Sequence, residues 1–378
     1  MNKQPLKIAF RVDASLEIGI GHVMRCITLA QALTLKGSEC EFICREHEGN
    51  LIAVVRSKGF RVVVLPIKEP KAAVSKVTHE STAEKELEHS SWLASTQLDD
   101  AADCTAIFGE TLLDWLIVDH YALDYRWETK LKAHYKKLMV IDDLADRHHV
   151  ADLVLDQTFG RNTGDYAPWV PDDCTLLCGS EYSLLRPEFA NLRNYSLDRR
   201  KDSKLENLLI TMGGVDKDNA TGKVLEALNS SELPSNCQIT VVMGASAPWL
   251  SEVRLQATQL RWPTSVKAAV SDMAQLMADS DLAIGAAGAT SWERCCLGLP
   301  TLMLVLASNQ RKVAEGLEEA GAVQLLKGPE EILLLLPHML NKIIESPSLR
   351  EHMSLAATDI ANGQGVPAVI QHLELSID

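Results

Sequence analysis

Two doubly wound α/β domains are what the sequence predicts, and three observations carry the prediction. Strand-length apolar runs alternate with helix-period stretches, the pattern of βαβ units and parallel sheets. That pattern starts twice: a strand, a glycine loop and a helix at 8–33 recur at 207–225. The 378 residues are enough for two cores of ordinary size. Between the halves, 191–203 is polar and charged without apolar periodicity, so the boundary is placed there. The expected domains are 1–198 and 204–347, followed by a C-terminal helical segment at 348–378.

In the first half, the apolar run 8–12 reads as a buried strand, and Val23, Ile27, Ala30 and Leu33 recur at helical spacing. Gly19 and Gly21 lie between them, where missing Cβ atoms allow positive φ and close approach of a ligand. The amides that follow are unpaired donors of a helix start, suited to phosphate or developing negative charge. His22 stands at that junction. It either takes a proton from water as a general base or caps and packs the helix.

Residues 40–44 and 61–65 read as strands, with a helix over 51–58 between them. From 68 to 103 the chain is polar and helix-prone; Trp92, Leu93 and the acidic run Asp99, Asp100 and Asp103 are read as a solvated face rather than a metal cluster. Trp115 to Asp119 is a buried strand, and open α/β sheets bind ligands beyond the carboxyl ends of their strands. Asp119, His120 and Tyr121 are therefore site candidates, against turn and cap roles. Strands at 138–143 and 152–157 repeat the pattern, with Asp142, Asp143 and Asp156 read as caps in preference to ligands of a divalent cation. Prolines and glycines break the pattern from 166 to 189.

The second half opens with the strand 207–212, which runs into Gly213 and Gly214. This is not a Walker loop, because Gly-x4-Gly-Lys-Ser/Thr is absent. Strands at 237–243 and 266–270 and a helix at 273–278 follow. A further strand ends at Ile284, the small residues 285–289 permit close approach, and a helix opens around Thr290 and Ser291. Glu293, in its first turn, either accepts ribose hydroxyls or complements the helix dipole. The strand 301–305 is followed by Ser308, Asn309 and Gln310, and a last helix spans 349–372 with an interruption at 363–367.

A formal charge of -14 argues against a nucleic-acid surface or an anionic membrane partner, both of which need a basic face. A nucleotide ligand stays compatible, since glycine loops hold phosphates with few basic side chains. No apolar run reaches the roughly 18 residues needed to span a bilayer, and the start leads straight into a strand, so the expected location is the cytoplasm. Nine cysteines, an odd number scattered through apolar segments, fit reduced thiols better than disulfides or zinc ligands.

Five motifs in order make a resemblance specific: Arg11-x-Asp13 with Gly19-x-Gly21-His22-x-x-Arg25 and Leu29-Ala30; Asp119-x-Tyr121; Asp142-Asp-Leu-Ala-Asp-Arg147; Thr211-Met-Gly-Gly-Val-Asp216; and Gly288-Ala-Thr-Ser-Trp-Glu293. Together they resemble PseG, the UDP-sugar hydrolase family of pseudaminic acid biosynthesis. The last motif is also similar to the UDP-binding motif of GT-B glycosyltransferases, where the glutamate holds ribose.

The resemblance implies Rossmann-like domains facing a cleft in the GT-B manner, with the final helix packing back on the first domain. It implies hydrolysis of UDP-2,4-diacetamido-2,4,6-trideoxy-β-L-altrose to UDP and the free sugar, with neither metal nor cofactor. His22 is then the catalytic base. The substrate-binding residues are Arg11, Asp13, Gly19, Gly21, Tyr121 and Asn309 near the loop and sugar, and Gly213, Gly214, Gly288, Ala289, Thr290 and Glu293 around UDP. The small-molecule substrate is the one partner expected, without nucleic acid, membrane or obligate protein. The rival readings are a glycosyltransferase, a hydrolysing UDP-sugar epimerase and a non-enzymatic nucleotide-sugar sensor.

Overall fold

The computed structural model describes residues 4–67, 87–202, 204–268 and 270–375, with only the backbone described at 309 and 375. Part of the polar stretch 68–103 therefore lies outside the described residues. The chain divides into two compact units: 1–157, 161–184 and 366–378 form unit 1, and 158–160 with 185–365 form unit 2.

Unit 1 runs β1 (Lys7–Val12), α1 (Gly21–Leu35), β2 (Glu39–Arg45), α2 (Ile52–Ser57), β3 (Arg61–Leu65), α3 (Gln97–Phe108), β4 (Leu113–Asp119), α4 (Tyr125–Lys130), β5 (Tyr135–Ile141), β6 (Leu153–Asp156) and β7 (Thr175–Cys178). The strands pair in parallel in the order β3-β2-β1-β4-β5-β6-β7. The sheet is buried on both faces, as parallel sheets are. Phe10, Val23, Ile27, Leu33 and Trp115 share one core, and Ala9, Leu116, Val118, Cys104 and Trp127 another. Strand order reverses between β1 and β4, where Val12 stands opposite Asp119. Such a reversal opens a crevice at the strands' carboxyl ends.

Unit 2 runs α5 (Pro187–Arg200), β8 (Asn207–Thr211), α6 (Ala220–Leu228), β9 (Gln238–Met243), α7 (Leu250–Ala257), β10 (Thr264–Ala268), α8 (Met273–Ala278), β11 (Leu282–Ala286), α9 (Thr290–Cys296), β12 (Thr301–Leu304), α10 (Arg311–Glu319), β13 (Val323–Leu326), α11 (Ile332–Glu345) and α12 (Pro347–Ile360). Its parallel sheet has the order β10-β9-β8-β11-β12-β13. The reversal lies between β8 and β11, with Thr211 opposite Gly285.

The division falls at 184/185, upstream of the expected boundary at 191–203. The polar stretch is α5, and its charged side chains cap carbonyls of unit 2 instead of facing water as a linker would. Arg193 donates to the carbonyls of Cys296 (2.6 Å), Ala361 (2.9 Å) and Thr358 (2.9 Å). Arg200 donates to Met277 (3.1 Å) and Ser280 (2.9 Å). The C-terminal segment is also two helices instead of one. Here α12 stays in unit 2, while α13 (Gly365–Leu375) carries Val366, Val369, Ile370 and Leu373 into the unit 1 core, where the Trp115 indole donates to the Leu373 carbonyl at 3.3 Å.

Candidate functional site

At the unit 1 reversal, β1 leads into a turn closed by Ser15, whose hydroxyl accepts from the amides of Glu17 (3.1 Å) and Ile18 (2.9 Å). Gly19 takes φ +81° there, a conformation that disfavours any side chain, with open space where a Cβ would stand. Helix α1 then begins at Gly21 with no side-chain cap. That places His22 in the first turn, with the carboxyl end of β4 beside it.

His22 Nδ1 lies 2.6 Å from Asp119 Oδ1. Arg25, one turn on, donates from Nε to Asp119 Oδ2 at 2.6 Å and from Nη2 to Oδ1 at 2.7 Å. Burial pushes the Asp119 carboxyl up, but Arg25 and then His22 outweigh it and hold the group below the usual carboxylate range. An ionised Asp119 only accepts hydrogen bonds, so in the neutral imidazole Nδ1 carries the proton and Nε2 the lone pair. This is a tautomer assigned from the partner. The arrangement gives an oriented, partly exposed imidazole able to take a proton from water.

Tyr121 packs edge-on to His22, ring centroids 4.7 Å apart, and Trp92 stacks on Tyr121 at 5.7 Å. The Tyr121 hydroxyl donates to Asp143 Oδ2 at 2.6 Å, and Arg25 reaches the same oxygen at 2.7 Å. With its hydroxyl occupied, Tyr121 contributes a ring surface. Arg25, Trp92 and Asp143 were missed as site residues; the i, i+3 spacing of His22 and Arg25 on one helix was the available signal.

Arg11 and Asp13 require a correction. Both are within 1% of complete burial, so neither is positioned to touch a substrate. Arg11 donates to Asp100 from Nε (3.1 Å) and Nη2 (2.8 Å) and lies 2.7 Å from Asp13. Arg45 lies 2.6 Å from Asp100, which also accepts from the Trp127 indole at 2.9 Å. The backbone amide of Arg45 donates to Asp13 at 2.6 Å, and His120 Nε2 lies 3.2 Å from Asp13. These contacts fasten β1, β2, α3 and the turn after β4 together. Asp100 is accordingly not part of a solvated face: Ala101, Cys104 and Phe108 mark the buried stripe that includes it.

Asp142 pairs with Arg147 at 2.9 Å and accepts from the Ala145 amide at 2.8 Å, while Asp156 lies 2.5 Å from Arg161. Among the described residues, no group of three or more His, Cys, Asp or Glu side chains is arranged to hold a metal ion.

In unit 2, Gly213 follows β8 with φ +92° and nothing within 4 Å of its Cβ position. A Cβ on Gly244 would lie 2.0 Å from the Gly214 carbonyl oxygen, so the loops after β8 and β9 meet backbone to backbone. The first amides of α6 are occupied: Asp216 accepts from Ala220 (2.8 Å) and Thr221 (2.9 Å), and Asn219 from Gly222 (3.0 Å). Beyond β11, Gly288 has open space at its Cβ position, Ala289 is exposed and Thr290 partly so. Glu293, 18% exposed, lies 3.8 Å from Arg186. Burial raises its carboxyl to about 7, against the opposing pull of Arg186 and Arg294. Asn309 falls in a 3-10 turn, Ser308–Gln310, beyond β12, and its side chain lies outside the described residues. The structure thus groups His22 and Tyr121 at one reversal, and Gly213, Gly214, Gly288, Ala289, Thr290 and Glu293 on adjacent strand ends at the other.

Residues 207–372 match the glycosyltransferase family 28 C-terminal domain. The UDP-2,4-diacetamido-2,4,6-trideoxy-beta-L-altropyranose hydrolase of Campylobacter jejuni is 25% identical over 319 residues, covering 84% of this chain and 97% of that protein. Over most of its length the chain is thus similar to a protein of the PseG family. A second similar protein, the uncharacterised MJ1062 of Methanocaldococcus jannaschii, is 27% identical over 312 residues; the alignment covers 81% of this chain and 57% of MJ1062, little more than half its length. Among solved structures, MurG of Acinetobacter baumannii superposes with a TM-score of 0.67 at 15% identity, covering 98% of this chain and 99% of MurG. The fold class is that of the GT-B glycosyltransferases, with two parallel-sheet α/β units. No described helix is long and apolar enough to cross a membrane.

Proposed function

We propose that this protein is an enzyme acting on UDP-sugars, and that it hydrolyses UDP-2,4-diacetamido-2,4,6-trideoxy-β-L-altrose to UDP and the free sugar. The observation that carries the reading is the Asp119–His22 pair, which leaves an imidazole nitrogen free to accept a proton. The Campylobacter hydrolase supports the choice of substrate.

The reading assigns the nucleotide to unit 2. Gly213, Gly214, Gly288, Ala289 and Thr290 admit the diphosphate against backbone, and Glu293 exchanges Arg186 for the ribose hydroxyls. Unit 1 supplies the chemistry. Water attacks the anomeric carbon, its proton passes to His22 Nε2, the C1–O bond breaks, and UDP leaves with the bonding pair. Asp119 stabilises the imidazolium that forms. Gly19 and Gly21 keep the approach to His22 open, and the rings of Tyr121 and Trp92 border it. Asn309 is assigned to the sugar side on the family resemblance.

The test is a panel of UDP-sugars incubated without acceptor in H2¹⁸O, with UDP release and the released sugar followed by NMR and mass spectrometry. Steady multiple turnover with the label on the sugar is expected. Release that requires an acceptor means transfer, and release of a C2-inverted sugar from UDP-N-acetylglucosamine means a hydrolysing epimerase.

A further inference from the structure

Beneath the 285–291 loop of unit 2, Arg294 is 1% exposed, yet all its hydrogen-bond acceptors are neutral. Nη2 donates to the Ala286 carbonyl at 2.7 Å and the Ser291 hydroxyl at 3.3 Å; Nη1 lies 3.4 Å from the Thr290 hydroxyl. Its Nε is buried without a hydrogen-bond partner, and no ion pair to it occurs among the described residues. Glu293, next in sequence, turns to Arg186. By contrast Arg11, Arg25, Arg45 and Arg147, also buried, each lie against carboxylates. A buried cation with no carboxylate within ion-pair distance among the described residues is costly, and here burial lowers the guanidinium to about 10 against the weaker pull of Cys295 and Glu293. Space has been kept for it: a Cβ on Gly285 would stand 2.3 Å from Arg294 Nη1.

We propose that Arg294 is the counter-charge for the diphosphate of the bound nucleotide, acting from under the loop through the Thr290 and Ser291 hydroxyls. This rests on the assignment of the nucleotide to unit 2. An anion on the loop's outer face completes an ion pair that the protein alone leaves half made. The low dielectric between them keeps the attraction from being screened. Arg294 is a positioning residue, since it is covered by the loop it supports. The same charge stabilises UDP as a leaving group.

The experiment is calorimetric titration of the full chain with UDP and with uridine, for the wild type, Arg294→Gln and Arg294→Lys. A lost counter-charge lowers affinity for UDP about tenfold or more in Arg294→Gln, with uridine within about twofold, and Arg294→Lys recovers most of the difference. A merely structural role lowers both affinities together and overturns the proposal. Should Arg294→Gln not fold, Gly285→Ala displaces the guanidinium while keeping its charge; the UDP-to-uridine affinity ratio is expected to fall at least about threefold, and an unchanged ratio overturns the proposal. Wild-type protein that binds neither ligand overturns the nucleotide assignment itself. Tight wild-type UDP binding with an unaltered ratio in the variants overturns the role of Arg294 alone.

Discussion

At the strand-order reversal of unit 1, Arg11, Arg25 and Arg45 are matched by Asp13, Asp100, Asp119 and Asp143. At the reversal of unit 2, the hydrogen-bond partners of Arg294 among the described residues are hydroxyls and a carbonyl, while Glu293 has Arg186 at 3.8 Å as its one ion-pair partner there. The same topology is used in two ways. One strand end is electrostatically complete and holds an imidazole in place; the other is left for a ligand to complete.

The largest effect is expected from breaking the complete side. Asp100→Ala strips two buried guanidinium groups of their shared carboxylate, and the loss should be about 3–5 kcal/mol in denaturant unfolding. Asp13, Asp100 and Asp119 are all held below the usual carboxylate range by neighbouring cations, against burial. Their contribution is full above the unfolded value of about 4 and is lost as pH falls through the depressed native values. Unfolding followed from pH 7 downward should show that loss, and Asp100→Asn should flatten part of it.

Asp119→Asn leaves the shape but removes the charge that fixes the His22 tautomer. Turnover should fall on the order of 10²-fold, about 2.7 kcal/mol, with UDP affinity little changed. A fall in UDP affinity of the same size would blur the division between the two strand ends.

The open side is sharpened by Glu293. Its carboxyl is raised to about 7, so the native state holds the proton more tightly than the unfolded chain and stability falls as pH rises from about 4.5 to 7. Binding runs the other way. An ionised Glu293 is the better acceptor for ribose hydroxyls, so UDP affinity should rise through pH 7 by several-fold. Glu293→Gln should abolish that slope in titrations at pH 6 and pH 8. The smallest effect is expected from Tyr121→Phe, which keeps the ring and loses only the hydrogen bond to Asp143, for about 1 kcal/mol of stability.

Much of this was legible in the sequence because it is local. The β1 strand, the glycine turn and α1 announce themselves by a change of period from apolar run to helical stripe, and His22 stands where the two meet. The Gly285–Glu293 stretch reads in the same way. What could not be read is pairing at long range. Asp100 lies 89 residues from Arg11 and 55 from Arg45, so its acidic neighbours made it look solvated. Arg11 and Asp13 suffered the reverse error, because their place in a shared motif said nothing of whether they face the crevice or the core. The basic end of α5 resembled a linker since Arg200 meets carbonyls, which leave no trace in composition, and the carboxylate partner of Arg199, Asp281, lies 82 residues on.

The division of labour is tested most directly by His22→Asn, measured for turnover of the UDP-sugar and for UDP affinity in the same preparation. The account predicts that turnover drops on the order of 10²-fold or more while the UDP dissociation constant stays within about twofold. Turnover retained in that variant would contradict it.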